Sequence, residues 1–181
     1  MATAHPVGMP TAIKSSFPAV AGGGARVLIL GSLPGEQSLL MGQYYANPRN
    51  QFWRLMESVI GAELVSLTYP ARLDSLLSAG VGLWDTIGSA TRVGSLDADI
   101  RGHRPNPLRA LTDTLPFLRA VAYNGAKASA VGRVLLGDDS RLTQITLPSS
   151  SAALARPFER KQAEWIQLQT FLDLATDHSR P

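Results

Sequence analysis

The sequence contains no cysteine, which excludes disulfides, thiol nucleophiles and cysteine-bound zinc from its 181 residues and fits a reducing cytoplasm. Histidine is nearly as scarce: His5, His103 and His178 are too scattered to form a metal site, so no metal is expected. No apolar run approaches the roughly 20 residues of a membrane span, and no charged start followed by an apolar core marks a secretory signal. The Gly-Lys-Ser/Thr of a P-loop, the three-glycine dinucleotide fingerprint and the Gly-x-Ser-x-Gly elbow are all missing. Nucleotide cofactors and serine hydrolysis are thereby disfavoured, and no cofactor is expected. Lysine occurs only at positions 14, 127 and 161, so arginine supplies most of the positive charge behind a net +3. That balance permits nucleic-acid binding, because guanidinium forks suit phosphates, but does not require it. Arg92, Arg101, Arg104 and Arg109 fall in one polar stretch that reads either as a phosphate-contacting loop or as a solvated one.

What is present alternates strands with helices. Residues 1–24 lack periodicity and end in a glycine triplet, which predicts a loose arm ahead of a single domain over residues 25–181. Residues 26–30, Arg-Val-Leu-Ile-Leu, are the kind of apolar run a buried parallel strand needs. The Gly31-Ser32-Leu33-Pro34-Gly35 that follows must turn, leaving backbone N–H groups above the strand end in an arrangement that favours anions. Phe52, Trp53, Met56, Val59 and Ile60 have helical spacing, stopped by Gly61. Further helices are predicted over residues 70–78, 107–115 and 127–136, and further strands over 81–87, 118–123 and 142–147. Residues 92–106 read as a loop, and the hydroxyls of residues 148–151 as caps of a long C-terminal helix carrying Phe158, Trp165, Ile166, Phe171 and Leu172.

This order implies an α/β fold with a parallel sheet covered on both faces, whose ligands bind at the carboxyl ends of the strands. Four strand-to-helix junctions then converge: residues 31–50, Asp85, Asn124 and residues 148–151. Tyr44 and Tyr45 beside Asn47 and Asn50 offer a stacking surface and neutral hydrogen-bonding groups, the equipment for holding a flat heterocycle.

Residues 31–39 (Gly-Ser-Leu-Pro-Gly-Glu-Gln-Ser-Leu), followed by residues 44–53 (Tyr-Tyr-Ala-Asn-Pro-Arg-Asn-Gln-Phe-Trp), resemble the uracil-DNA glycosylase superfamily, and within it the hypoxanthine-DNA glycosylase branch. Residues 83–86, 94–98, 123–127 and 147–151 resemble the same branch in the same order. The resemblance implies a three-layer α/β/α sandwich around a four-stranded parallel sheet. It also implies a cofactor-free, monofunctional hydrolysis of a deaminated base, flipped from DNA, to leave an abasic site. Double- or single-stranded DNA carrying a deaminated base would be the partner, with no membrane involved, and the protein would be a monomer, cytoplasmic and nucleoid-associated in a bacterial-type cell. The rivals are a uracil or xanthine glycosylase of the same fold, a non-catalytic reader of damaged DNA, and a small nucleotide-binding protein.

By the same resemblance Tyr45 matches a stacking aromatic, with ordinary core packing as its other reading, and Asn50 matches a water-orienting amide that could equally cap the helix beginning at Phe52. Gly31, Ser32 and Leu33 would contact the base, Leu33 standing where other branches carry a catalytic Asn or Asp. Asp85 could accept the N1–H of hypoxanthine and repel the N1 lone pair of adenine, or pair with an arginine. Asn124 could read the base, although Asn-Gly favours a left-handed turn residue. Ser149, Ser150 and Ser151 would donate to phosphates, Leu154 or Arg156 would fill the space of the flipped base, and Arg49 and Lys127 would contact phosphates or simply face solvent. Leu147 departs from a histidine of the uracil enzymes, Asn47 stands where relatives often show histidine, and Ala152 and Leu154 replace an expected Pro and Asn.

Overall fold

In this computed structural model, residues 12–173 are described. Four short apolar strands, β2 (Val27–Gly31), β3 (Val81–Asp85), β6 (Ala120–Asn124) and β7 (Thr143–Leu147), form a parallel sheet in the order β3-β2-β6-β7. β2 and β6 are buried at every position, as strands covered on both faces must be.

The side-chain alternation of β2 divides the core. Val27 and Ile29, with Ala120 and Ala122 of β6, face α2 (Phe52–Ile60), α3 (Tyr69–Ser78) and the C-terminal α6 (Phe158–Trp165). Leu28 and Leu30, with Val121 and Tyr123, face α4 (Leu108–Thr112) and α5 (Ala126–Leu136). The result is the expected three-layer α/β/α sandwich. Phe52, Leu55, Met56 and Trp165 are fully buried, each contributing roughly 1.5–3 kcal/mol through the apolar surface removed from water. α5 lies so close to the sheet that a Cβ on Gly132 would stand 2.1 Å from the Tyr123 ring.

The structure departs from the sequence reading in several places, among them a helix over Glu36–Met41 in a stretch for which none is predicted. Residues 12–24 of the expected arm belong to the fold, whereas the remainder of that expectation lies outside the described residues. β1 (Ile13–Ser15) pairs antiparallel with β4 (Ile87–Thr91), and Val20 exchanges two backbone hydrogen bonds with Leu83 along the outer edge of β3. Covering that edge removes a row of unpaired backbone groups. The expected strand over residues 81–87 breaks at Thr86 into β3 and β4, which belong to different sheets. The expected loop over residues 92–106 contains a 3-10 turn (Asp97–Asp99) and β5 (Arg101–Pro105), giving a second, antiparallel sheet ordered β1-β4-β5. Finally, α6 is short and continues as a 3-10 helix (Ile166–Phe171), and its N-cap is Pro157 rather than a serine.

Candidate active site

The carboxyl ends of the four parallel strands open into one cleft of about 740 Å³. The turn after β2 gives it Gly31, Ser32 and Leu33, β3 gives Asp85, β6 gives Asn124, and the segment after β7 gives Ser149, Ser150, Ser151 and Leu154. The connection between α1 (Glu36–Met41) and α2 adds Tyr44, Tyr45, Asn47, Arg49 and Asn50. Junctions far apart in sequence thus meet at the position where parallel sheets bind ligands.

The turn is held from below. Arg92, fully buried, donates to the carbonyls of Leu33 (3.2 Å), Pro34 and Gly94 (3.1 Å). Its guanidinium therefore sets turn geometry, and the phosphate reading of this arginine is corrected. Arg109, though exposed, is engaged by the Leu136 carbonyl and Asp139. The N–H groups of Ser32 and Leu33 donate to no described residue, and both residues line the cleft, which leaves these donors available to an anion.

Asp85 forms the floor. Its Oδ2 accepts a 2.9 Å bond from the Ser16 hydroxyl, and its Oδ1 lies so close to Gly31 that a Cβ there would stand 2.6 Å from it. Oδ1 has no hydrogen-bond partner among the described residues. Burial pushes the carboxyl up to about 7; the charge of Asp97 adds to this, while the Ser16 bond and Arg92 oppose it. The expectation that Asp85 pairs with an arginine is not met, since its side-chain partner is a serine.

Tyr45 is the one non-glycine residue with positive φ among the described residues (54°), and its ring stacks on Phe52 at 3.7 Å and 12°. A strained backbone of this kind costs of order 1–3 kcal/mol and persists only where surrounding contacts dictate it. Here the Phe52 stack and a 3.2 Å bond from Asn124 Nδ2 to the phenol fix the ring. Burial and the nearby Asp85 charge raise the phenol well above its ordinary range, so it stays neutral.

Asn50 does cap locally: its Oδ1 accepts the Phe52 N–H at 3.0 Å. A carboxamide oxygen has a second lone pair, and Asn50 Nδ2 has no partner among the described residues, so the amide retains capacity toward the cleft. Asn124 is not the turn residue, because Gly125 takes the positive φ (101°). Asn124 instead clasps Ser150, accepting its N–H and donating to its hydroxyl, both at 2.8 Å. With the Tyr45 phenol as a third partner, both amide protons of Asn124 are used and one lone pair on Oδ1 remains.

The serine segment is anchored by its carbonyls. Pro148 accepts from Trp165 Nε1 (2.9 Å), Ser150 from the Gln51 N–H (2.9 Å) and Ser151 from Lys161 Nζ (2.9 Å). Ser150 is fully buried, which corrects its assignment as a phosphate donor. The hydroxyl oxygens of Ser149 and Ser151 accept from Ser151 N–H and Ala153 N–H (both 3.2 Å), leaving their own protons to donate. Lys127 and Arg156 line an adjoining groove of about 770 Å³, and Arg156 pairs there with Glu164 at 2.6 Å. Leu154 borders both hollows. Among the described residues no three histidine, aspartate or glutamate side chains gather as metal ligands.

Sequence reasoning missed Ser16, Asp97 and Lys161. Asp97 reaches the cleft and accepts a 2.5 Å bond from Ser32 Oγ. Asp97 falls within residues 94–98 of the resemblance with no role of its own assigned, and Ser16 carries no local signal.

A family model described as the "Uracil DNA glycosylase superfamily" matches residues 17–173. A protein named hypoxanthine DNA glycosylase from Methanosarcina acetivorans is 39% identical over 153 residues, covering 84% of this chain and 96% of that protein. One of the same name from Methanosarcina barkeri is 36% identical over 156 residues, covering 85% and 96%. A solution NMR structure from Methanosarcina acetivorans, provisionally named a uracil DNA glycosylase, superposes with a TM-score of 0.79 at 37% identity, covering 88% of this chain and 99% of that one. With four strand ends meeting in one aromatic-walled cleft and the match spanning nearly all described residues, the chain belongs to the uracil DNA glycosylase superfamily.

Proposed function

We propose that this protein is a monofunctional DNA glycosylase that hydrolyses the N-glycosidic bond of hypoxanthine, leaving an abasic site. The observation that carries the reading is Asp85 Oδ1, an unpartnered acceptor on the cleft floor beside the Tyr45 ring. A flipped hypoxanthine offers its N1–H to that oxygen, whereas adenine presents a lone pair and is repelled. Phe52 covers one face of Tyr45, so the base stacks on the opposite face. The two relatives named hypoxanthine DNA glycosylase support the same substrate.

Breaking the bond builds positive charge on the sugar and negative charge on the departing base. The free N–H groups of Ser32 and Leu33 receive the base's charge, and Asn50 orients the attacking water through its remaining lone pair and its amide protons. Leu33 contributes only its backbone N–H and apolar bulk to this chemistry. Among the described residues no lysine lines the cleft: Lys14 is tied to Glu36 and Gly94, Lys161 to Ser151, and Lys127 faces the adjoining groove. With no lysine amine at the cleft among the described residues to form a Schiff base, hydrolysis by water is the reaction these residues support. Leu154, between the two hollows, takes the gap left in the duplex, while Arg49, Lys127, Ser149 and Ser151 hold phosphates. Arg156, paired with Glu164, reaches a phosphate only by leaving that partner.

The test is cleavage of matched duplexes carrying one hypoxanthine, uracil, xanthine or ethenocytosine, with hot alkali to break abasic sites. Selective cutting at hypoxanthine is expected. Preferential cutting at uracil or xanthine would overturn the assignment, and binding without cutting would make the protein a reader of damaged DNA.

A further inference from the structure

The Ser16 hydroxyl lies within hydrogen-bond reach of two acceptors, 2.9 Å from Asp85 Oδ2 and 3.1 Å from the Phe17 carbonyl. A hydroxyl has one proton and two lone pairs, so it satisfies only one of these acceptors at a time. The choice depends on the state of Asp85. When the carboxyl is ionised, Ser16 donates to Oδ2. When the carboxyl is neutral, Ser16 turns its proton to the Phe17 carbonyl and accepts from an Oδ2–H. Both arrangements fit the same heavy-atom positions.

We propose that Ser16 is a specificity-determining positioning residue that parks the Asp85 proton on Oδ2, so that Oδ1 meets the base as an acceptor whether the carboxyl is charged or neutral. The inference rests on the reading that Asp85 faces the base. Without Ser16 the neutral acid carries its proton on either oxygen. An Oδ1–H would then donate to N1 of adenine, the base the site must reject.

The neutral form matters near physiological pH, where burial and the charge of Asp97 hold the Asp85 carboxyl. The groups facing Asp85 are Ser16 from the segment after β1, Arg92 after β4, Asp97 from the 3-10 turn, and the phenols Tyr44 and Tyr45 from the connection before α2. Of these, Ser16 alone makes a side-chain hydrogen bond to the carboxyl among the described residues. The segment carrying Ser16 is fixed independently. Trp84 Nε1 donates to the Phe17 carbonyl at 2.9 Å, the Tyr44 hydroxyl to the Pro18 carbonyl at 3.2 Å, and the Phe17 ring meets Tyr44 edge-on at 5.2 Å. Removing the hydroxyl therefore leaves the backbone in place.

The experiment compares the wild-type protein with Ser16→Ala and Ser16→Thr in single-turnover excision of hypoxanthine and of adenine from otherwise identical duplexes between pH 5.5 and 8.5. For Ser16→Ala, the preference for hypoxanthine over adenine should fall at least tenfold at pH 5.5 and much less at pH 8.5. Threonine, which keeps the hydroxyl, should restore it. As a readout independent of turnover, 13C NMR of the Asp85 carboxyl should show its titration midpoint moving to higher pH in Ser16→Ala and returning in Ser16→Thr. Unchanged discrimination at pH 5.5, or an unmoved midpoint, overturns the role of Ser16 while hypoxanthine excision by the wild type stands. A wild-type protein inactive on hypoxanthine removes the underlying reading and this one with it.

Discussion

Replacing Gly31 by alanine tests the floor of the cleft with a single methyl group. The backbone there is not in a left-handed conformation, so alanine is tolerated sterically by its own residue and reduces unfolded-state freedom by about 0.5–1 kcal/mol. The new Cβ, however, would lie 2.6 Å from Asp85 Oδ1 and 3.3 Å from the Tyr45 hydroxyl oxygen. The carboxyl must rotate away and give up its bond from Ser16, a charge-assisted interaction worth about 1.5–3 kcal/mol. The net loss is about 1–2 kcal/mol of stability, or roughly 2–8 °C in Tm for a chain of this size. The same rotation takes Oδ1 from the base, and losing that bond lowers kcat/KM on hypoxanthine by about 10- to 150-fold. Thermal melting and single-turnover excision measure the two effects separately. Reduced stability with wild-type excision would refute the role of Asp85 in reading the base. Unchanged melting and unchanged excision would refute the close packing of Gly31 on the carboxyl.

Four further outcomes are expected. Asn50→Ala should lower excision by about 100-fold or more with little change in DNA affinity, and stability by about 1 kcal/mol through the lost bond to the Phe52 N–H; an unchanged rate would leave the side chain as a cap alone. The Asp85 carboxyl, raised to about 7 in the folded protein from 3.8, retains a proton that the unfolded chain releases, so stability falls as pH rises from about 4 to 7 and the penalty is complete above that. Asp85→Asn should consequently be more stable than wild type at pH 8, by up to about 4 kcal/mol in denaturant titrations, and no more stable at pH 4; parallel pH profiles would contradict this. Gly132→Ala should cost about 1–3 kcal/mol by forcing a methyl into the Tyr123 ring, and a neutral result in urea unfolding would show that α5 shifts freely. Lys127→Ala should weaken DNA binding and reduce the salt dependence of log Kd by about one phosphate contact, and an unaltered slope would make the lysine a bystander.

The parallel sheet was legible because β2, β3 and β6 are short, largely apolar runs ending in Gly31, Asp85 and Asn124, and the more polar β7 stops at Pro148. The antiparallel sheet was not. β1 has only three residues, and β5, Arg-Gly-His-Arg-Pro, is exposed throughout and shows no apolar alternation. In the cleft, residues at strand ends could be found from topology alone, as Asp85, Asn124 and the Gly31 turn were. Ser16, Arg92 and Asp97 could not, because their partners lie 69, 59 and 65 residues away and no local pattern encodes such pairing. Asn124 shows a subtler failure: Asn-Gly does mark a turn, but glycine alone absorbs the unusual φ, freeing the amide to clasp Ser150. The serines lie too far from Phe158 to cap the C-terminal helix, which instead holds the carbonyls of Ser151 and Pro148 through Lys161 and Trp165.

The single backbone bond from the Gln51 N–H to the Ser150 carbonyl joins the loop bearing Asn50 to the loop ending in Leu154. On the proposed reading one loop handles the water and the other enters the duplex, so extrusion and hydrolysis would share a common spacing that neither can adjust alone. A lineage adapting this scaffold to a bulkier lesion would have to change both loops together, and surviving variants should carry their substitutions in pairs.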